Sequence, residues 1–214
     1  MMPELTDFRL GADVVSSDGR KVGKIASVIV EEDGFELRAL VVKEEDTFAG
    51  RLLASESVFI TDEVAIPITA VESATDDVVR LSMSVSDIRR QPPYLSYRSK
   101  PLEAGTAALD NLDILTGGIA LPRVEQVANK DAGQIEIDRG ENIMLGKTGQ
   151  RLGRVHDVLV DHGELIGVVM RPDGFFKRDV VLPIRFIDRA DDLALFAHLD
   201  DADIEHLKPF VDAD

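Results

Sequence analysis

Histidines are the first residues to consider for chemistry, because an imidazole can bind a metal ion or move a proton near neutral pH. His156 and His162 share one stretch of the chain with Asp157 and Asp161. In an extended strand, adjacent side chains point to opposite faces, and residues six positions apart are about 20 Å from each other. The stretch therefore predicts structural or solvent-facing histidines rather than a metal site.

Other patterns of catalytic and ligand-binding sites are missing from the sequence. The acidic runs 31–33 and 200–203 lack the spacing of an EF-hand loop. The chain has no cysteine, which excludes disulfides, thiolate zinc sites and iron–sulfur clusters. It also lacks the Gly-x-Ser-x-Gly motif of a serine hydrolase and the Gly-Lys-Ser/Thr ending of a phosphate loop. We therefore expect no catalytic residues, no cofactor and no metal.

Two features remain as candidates for an interaction surface. The first is a basic pair that occurs twice, as Lys21 with Lys24 and as Arg151 with Arg154. Three positions apart on a strand means opposite faces, unless a bulge realigns the two side chains. The alternative is that these are solvated strand charges, paired with nearby carboxylates.

The second feature is a loop that combines phenylalanine with basic residues, a combination enriched at protein interfaces. The candidate partner-binding residues are Phe48 and Arg51 in one loop and Phe175, Phe176, Lys177 and Arg178 in another. The same loops could instead fold back over the mouth of a barrel and close its core. Both interpretations stay open at this point.

The elements that must position these residues occur twice along the chain. Residues 18–30 (DGRKVGKIASVIV) align without a gap with 148–160 (TGQRLGRVHDVLV), and 64–72 (VAIPITAVE) align with 180–188 (VVLPIRFID). A repeat of about 80 residues is the size of a domain rather than of a solenoid unit. We therefore expect two similar domains, each closed around its own apolar interior.

The expected domain boundaries follow from this duplication. The first domain covers residues 6–94 and the second covers 134–210. Between them lies a connecting segment, 95–133, which has too many apolar residues for a free linker. We expect this segment to be partly ordered and to pack on one domain or across both.

Within each unit the residue pattern is that of short strands. Pairs such as Asp33-Gly34 suit tight type I′ turns. Gly23 and Gly153 interrupt strand patterns and predict a bulge or sharp bend. Pro67 and Pro183 cannot donate to a β-ladder and predict edges or strand ends.

A short helix is predicted to close each unit, with Ser86 or Asp201 as its cap. About six short strands, one closing helix and no long amphipathic helix describe a small β-barrel or curled sheet. The predicted fold class is therefore mainly β.

The order of these blocks resembles the PRC-barrel domain, which is known from the photosynthetic reaction centre H subunit and from the C-terminal domain of the bacterial ribosome maturation factor. The residues that carry the match are Gly19, Gly23, Val28 and Pro67, and then Gly149, Gly153, Asp157, Val158, Gly174, Phe175, Phe176 and Pro183. In the first copy, Thr47-Phe48-Ala49-Gly50-Arg51 replaces the Gly-Phe-Phe loop. The resemblance implies two tandem PRC-type β-barrels that serve as a non-catalytic adaptor or assembly module.

Charge and composition limit the classes of partner that the protein can bind. The 40 acidic and 24 basic residues give a net charge of −16, which argues against sequence-independent binding to nucleic acid or to an anionic membrane. The first residues lack the features of a signal peptide, and no apolar stretch approaches the roughly 20 residues that span a bilayer. We expect a cytoplasmic protein without direct membrane insertion that binds an unknown protein partner, with self-association left open. The alternatives are an RNA- or ribosome-associated processing factor and a small-ligand or metal-binding protein.

Overall fold

The computed structural model describes residues 8–43, 63–100, 123–173, 178–191 and 193–211. The strands of the first barrel are β1 (Asp13–Val15), β2 (Lys21–Glu31), β3 (Leu37–Lys43), β4 (Glu63–Pro67), β5 (Val71–Ala74) and β6 (Val78–Leu81). They lie in the order β4-β3-β2-β1-β6-β5, and β1 pairs with β6 in parallel. All other pairs in this order are antiparallel.

A single 3-10 turn forces this sheet to roll up. The turn (Ile68–Ala70) joins β4 directly to β5, although these two strands are the opposite ends of the sheet order. Three residues cannot cross a flat sheet of six strands, because neighbouring strands lie about 4.8 Å apart. The two edges must therefore lie side by side, and the sheet is curled into a small barrel.

The connecting segment is extended where the structure describes it. β7 (Leu95–Lys100) and β8 (Arg123–Ala128) form a two-stranded antiparallel sheet, and β9 (Gln134–Asp138) follows. The strands of the second barrel are β10 (Asn142–Leu145), β11 (Arg151–Asp161), β12 (Glu164–Pro172), β13 (Val180–Pro183), β14 (Ile187–Asp191), β15 (Ala194–Ala197) and β16 (Lys208–Pro209).

The second barrel repeats the topology of the first. Its order is β14-β15-β10-β11-β12-β13-β16, and β10 pairs with β15 in parallel. Apart from the added β16, this is the order of the first sheet, with a 3-10 turn (Ile184–Phe186) at the corresponding place. The prediction of two similar, mainly β units is confirmed.

Bulges and prolines lie where the sequence places them. Val14 pairs with Gly23 and Val15 pairs with Lys21, so the strand has one extra residue next to the glycine. At the matching glycine of the second copy, a Cβ atom would lie 2.3 Å from the carbonyl oxygen of Arg171, a distance that only glycine permits. Pro67 ends β4 and Pro183 ends β13, as expected.

Two local predictions are wrong. The type I′ turn forms at His162-Gly163, where both φ angles are positive, but not at Asp33-Gly34. In the first copy, four residues separate Glu31 from Glu36, and the positive φ angles belong to Gly34 and Phe35. The longer loop removes the need for a two-residue turn.

The second correction concerns the helix caps. Helices α1 (Val85–Ile88) and α2 (Asp201–His206) begin after Ser84 and Asp200, not after the predicted Ser86 and Asp201. Each of the two true caps has an aspartate three residues later, and cap and aspartate exchange hydrogen bonds with each other's backbone N–H. This reciprocal pattern is a capping box, and it fixes where the helix starts.

The two barrels are joined through β9. This strand precedes the second barrel but pairs with β2 of the first, from Ser27 opposite Asp138 to Glu31 opposite Gln134. Most buried apolar residues of both barrels belong to one continuous cluster. The expectation of two separate apolar interiors is therefore wrong, because alternate residues of β9 and of the segment before β1 are buried within this shared cluster.

Equivalent residues of the two copies meet at two places. Glu36 forms an antiparallel bridge with Glu164, the residue at the same position of the second barrel. Arg139 donates a hydrogen bond from Nη2 to the carbonyl oxygen of its counterpart, Leu10, at 2.7 Å. Contacts between equivalent positions are the signature of an approximate two-fold axis, as at a symmetric dimer interface.

Asp157 ties the start of the first barrel to the second. It is buried, and its Oδ1 accepts hydrogen bonds from the backbone N–H of Leu10 at 2.8 Å and of Val158 at 2.9 Å. Burial raises the pKa of this carboxyl.

Among the described residues, no helix has the length and apolar character needed to cross a bilayer.

We predict that Asp157→Ala lowers the free energy of unfolding by about 1–3 kcal/mol, because a buried N–H of Leu10 loses its acceptor. Urea denaturation measures the effect. Asp161→Ala, at an exposed position of the same strand, is the control and should change stability by less than about 0.5 kcal/mol. Equal effects of the two substitutions would show that Asp157 does not join the barrels.

Candidate functional site

Of the six predicted partner-binding residues, Arg178 lies within the part of the chain that the structure describes. It is exposed and lies shortly before β13. The other five lie outside the described residues, so their role stays a prediction: Phe48, Arg51, Phe175, Phe176 and Lys177.

Arg178 borders a groove of about 520 Å³ at one end of the second barrel. The floor of the groove comes from β11, β12, β13 and the C-terminal helix region. Its apolar residues are Leu152, Met170, Val180, Leu199, Ile204 and Leu207. Ile204 is 39% exposed, so part of its apolar surface is open to a ligand in the groove.

The rim of the groove carries two arginines in different electrostatic states. Arg151 forms an ion pair with Asp173, with Nε 2.8 Å from Oδ2. Arg178 forms no ion pair with any residue that the structure describes. The groove therefore offers an apolar floor beside a guanidinium group whose donors are available.

The repeated basic pair has a structural role in the first barrel. The bulge places both lysines on one face, where Lys24 Nζ is 2.7 Å and Lys21 Nζ is 3.0 Å from the same oxygen of Asp13. Hydrogen bonds from Lys24 and Lys21 lower the pKa of Asp13. In the second barrel Asn142 takes the place of Asp13, and Arg151 turns to Asp173 instead.

His156 lies beside the ion pair of Arg171 with Asp179. It is the extra residue of a bulge in β11, and its Nδ1 lies 2.7 Å from Oδ2 of Asp179. Arg171 donates to both oxygens of Asp179, at 2.9 and 3.0 Å, and this pairing lowers the pKa of Asp179. Lys43 and Glu63 form the matching pair in the first barrel. The part of the chain that the structure describes contains no group of three ligating side chains that could hold a metal ion.

The family model of the PRC-barrel domain matches residues 9–84 and 139–195, which together are more than half of the chain. The chain belongs to the PRC-barrel family. The two matched ranges contain β1 to β6 and β10 to the first half of β15, so this tandem PRC-barrel protein has one family domain in each sheet. Strand β9 lies just before the second matched range. No curated protein matches the chain.

Sequence reasoning missed one buried acid of the second PRC-barrel, Glu141. Its side chain is 8% exposed, Oε1 has no hydrogen-bond partner, and Oε2 accepts only a long bond from the N–H of Asp138 at 3.4 Å. Burial raises the pKa of Glu141 to about 8, and the charges of Asp138, Asp191 and Glu136 add to the rise. Its counterpart in the first copy is Ala12, because the N–H of Ile25 donates to Ala12 as the N–H of Val155 donates to Glu141. The ungapped sequence alignment instead puts Ala12 opposite Asn142, so the sequence carried no direct signal.

We predict that Glu141→Gln removes a pH dependence of stability. The folded pKa of about 8 lies above the ordinary value of 4.5, so the contribution to stability is complete below pH 4.5 and is lost as the pH rises through 8. Relative to the variant, the wild type should lose up to about 1.4 kcal/mol per pH unit across this window.

Urea denaturation across this pH window measures the difference. Glu72→Gln, an exposed glutamate in β5, is the control and should run parallel to the wild type. Parallel curves for wild type and Glu141→Gln would contradict the assignment of a neutral buried acid.

Proposed function

We propose that this tandem PRC-barrel protein is a non-catalytic adaptor or assembly module, and that the groove beside Arg178 binds a protein partner. The observation that carries the proposal is the apolar groove of about 520 Å³ with the guanidinium of Arg178 at its rim, which forms no ion pair with the described residues. A chain without cysteine needs no oxidising compartment, and we place its activity in the cytoplasm.

The groove favours a particular partner chemistry. Burying apolar side chains on the floor stabilises a complex by about 25 cal/mol per Å². A carboxylate of the partner would receive charge-assisted hydrogen bonds from Arg178, which are stronger than neutral ones. The expected ligand is a peptide segment with a large apolar side chain next to an aspartate or glutamate.

Most of the residues that line the groove lie on strands and on α2, which gives the groove a preformed shape. Two walls are the paired strands β12 and β13, and the third is α2, whose start is fixed by its capping box. Preformed geometry reduces the entropy that a partner must lose on binding. The residues around the groove form an ion pair and apolar contacts, and we assign them a role in binding rather than in catalysis.

A phage-displayed peptide library tests the proposal, because it selects ligands by their chemistry and does not require an identified partner. We expect selected peptides to combine an aliphatic or aromatic residue with an adjacent acid. Arg178→Glu should weaken their binding by at least about tenfold, since a hydrogen bond to a charged group contributes about 1.5–3 kcal/mol and the new carboxylate would repel the acid of the peptide.

Arg80→Glu is the matched control, because it makes the same change of charge at an exposed position of the first barrel. It should leave peptide binding within about threefold, as expected for a distant surface charge. Selected peptides without an acid, or equal losses for the two variants, would contradict the proposed site.

A further inference from the structure

Two arginines of the second barrel stack on phenylalanine rings. The Cζ atom of Arg189 lies 4.1 Å from the ring centroid of Phe196, and that of Arg185 lies 4.7 Å from the centroid of Phe186. We call the surface formed by these four residues the stacked-arginine face. It belongs to the 3-10 turn, β14 and β15, and lining residues of the groove beside Arg178 are not among its members.

Backbone pairing holds the two stacks together. Arg189 is the register partner of Phe196 in the β14–β15 ladder. The N–H of His198 donates to the carbonyl oxygen of Phe186 at 2.8 Å, which connects the 3-10 turn to the end of β15. Beside the face, Lys147, His198 and Asp188 border a shallow hollow of about 460 Å³. The surface is thus open and built on regular structure.

Both arginines keep their hydrogen-bond donors available. They are exposed, and neither forms an ion pair with a residue in the described ranges. Asp188, a carboxylate that borders the hollow, lies 3.1 Å from Nδ1 of His198. A guanidinium that stacks on a ring still presents its planar fork of N–H groups edgewise to an oxygen ligand.

The first barrel shows that the fold does not require this surface. Pro67 and Pro183 fix the correspondence between the two copies. The counterparts of Arg185, Phe186, Arg189, Phe196 and His198 are Thr69, Ala70, Ser73, Arg80 and Ser82. The first barrel folds with small or unstacked residues at the same positions, so the stacks are a feature of the second copy alone.

We propose that the stacked-arginine face binds an acidic segment of a protein partner, with carboxylates paired to Arg185 and Arg189. Two exposed guanidinium groups that form no ion pair with the described residues make a local positive site in a chain of net charge −16, and carboxylates of a partner are complementary to that site. Arginine and aromatic residues are also the types enriched at protein interfaces. The stacked-arginine face would be a second binding surface of the proposed adaptor, on the same barrel as the groove. This inference therefore rests on the proposed function.

The same geometry disfavours other anions. Asp188 in the hollow repels a doubly charged phosphate more strongly than a singly charged carboxylate. Binding of single-stranded RNA uses aromatic faces as stacking platforms for bases. Here the faces of Phe186 and Phe196 are already occupied by the protein's own arginines.

Fluorescence anisotropy with labelled decaglutamate tests the proposal in about 0.15 M salt. We expect saturable binding that weakens by about tenfold or more in Arg185→Gln/Arg189→Gln, which loses two charge-assisted contacts. Arg80→Gln/Arg89→Gln is the matched control, because it removes two exposed charges from the first barrel. It should keep the affinity of the wild type.

Each remaining outcome decides against the proposal. Equal loss in the two double variants would mean non-specific charge attraction. Tighter binding of phosphoserine or of an RNA oligonucleotide through the same two arginines would assign the face to phosphate. Absence of saturable binding with both variants folded, as judged by their melting temperatures, would remove the site.

The outcome also separates this site from the groove. Decaglutamate has no apolar side chain to occupy the groove floor, so Arg178→Glu should leave its affinity within about threefold. Failure of decaglutamate binding would leave the groove proposal intact, and failure of the peptide selection would leave the acidic-segment site intact.

Discussion

The pairing of β9 with β2 is the interaction on which the arrangement of the whole molecule depends. Strand β2 is eleven residues long, but β1 covers only the first part of one of its edges. An uncovered edge exposes backbone N–H and C=O groups that attract other strands. Strand β9 covers the rest of this edge with a five-residue ladder. The hydroxyl groups of Ser27 and Tyr94 donate hydrogen bonds to the carboxylate of its Glu136, the latter at 2.7 Å.

This pairing makes the two barrels one structural unit. The residues that precede each barrel contact the long strand of the other, through β9 in one direction and through Leu10 with Asp157 in the other. The bridge of Glu36 with Glu164 lies between them, as an approximate two-fold axis requires. The orientation of the groove and of the stacked-arginine face relative to the first barrel is fixed as a result.

The sequence predicts the duplication of the barrel and those features of each strand that depend on a single residue type. The duplication, the bulges near Gly23 and Gly153 and the strand ends at Pro67 and Pro183 follow from residue types whose backbone limits are strict. The pairing of β9 does not follow, because alternation in Gln-Ile-Glu-Ile-Asp predicts a strand but not its partner across the chain. The cap at Ser84 does not follow from residue type alone, because serines occur at 82, 84 and 86 and only the aspartate three positions after Ser84 distinguishes it from Ser86. Glu141 and the arginine stacks could be recognised only by comparing the two copies residue by residue in the structure. Recognising the stacks also required the cross-strand register that places Arg189 beside Phe196.

The direct test of the joined barrels is to cut the chain between β8 and β9. A specific protease site inserted after Asp131, at an exposed position, leaves β9 on the second fragment, so the ladder with β2 crosses the cut. We predict that the cleaved fragments co-elute on gel filtration at low micromolar concentration and unfold in one transition, and that Ile137→Asp, which puts a charge at a fully buried position of β9, separates them. Two folded fragments that elute apart without this substitution would contradict the claim that the barrels form one unit.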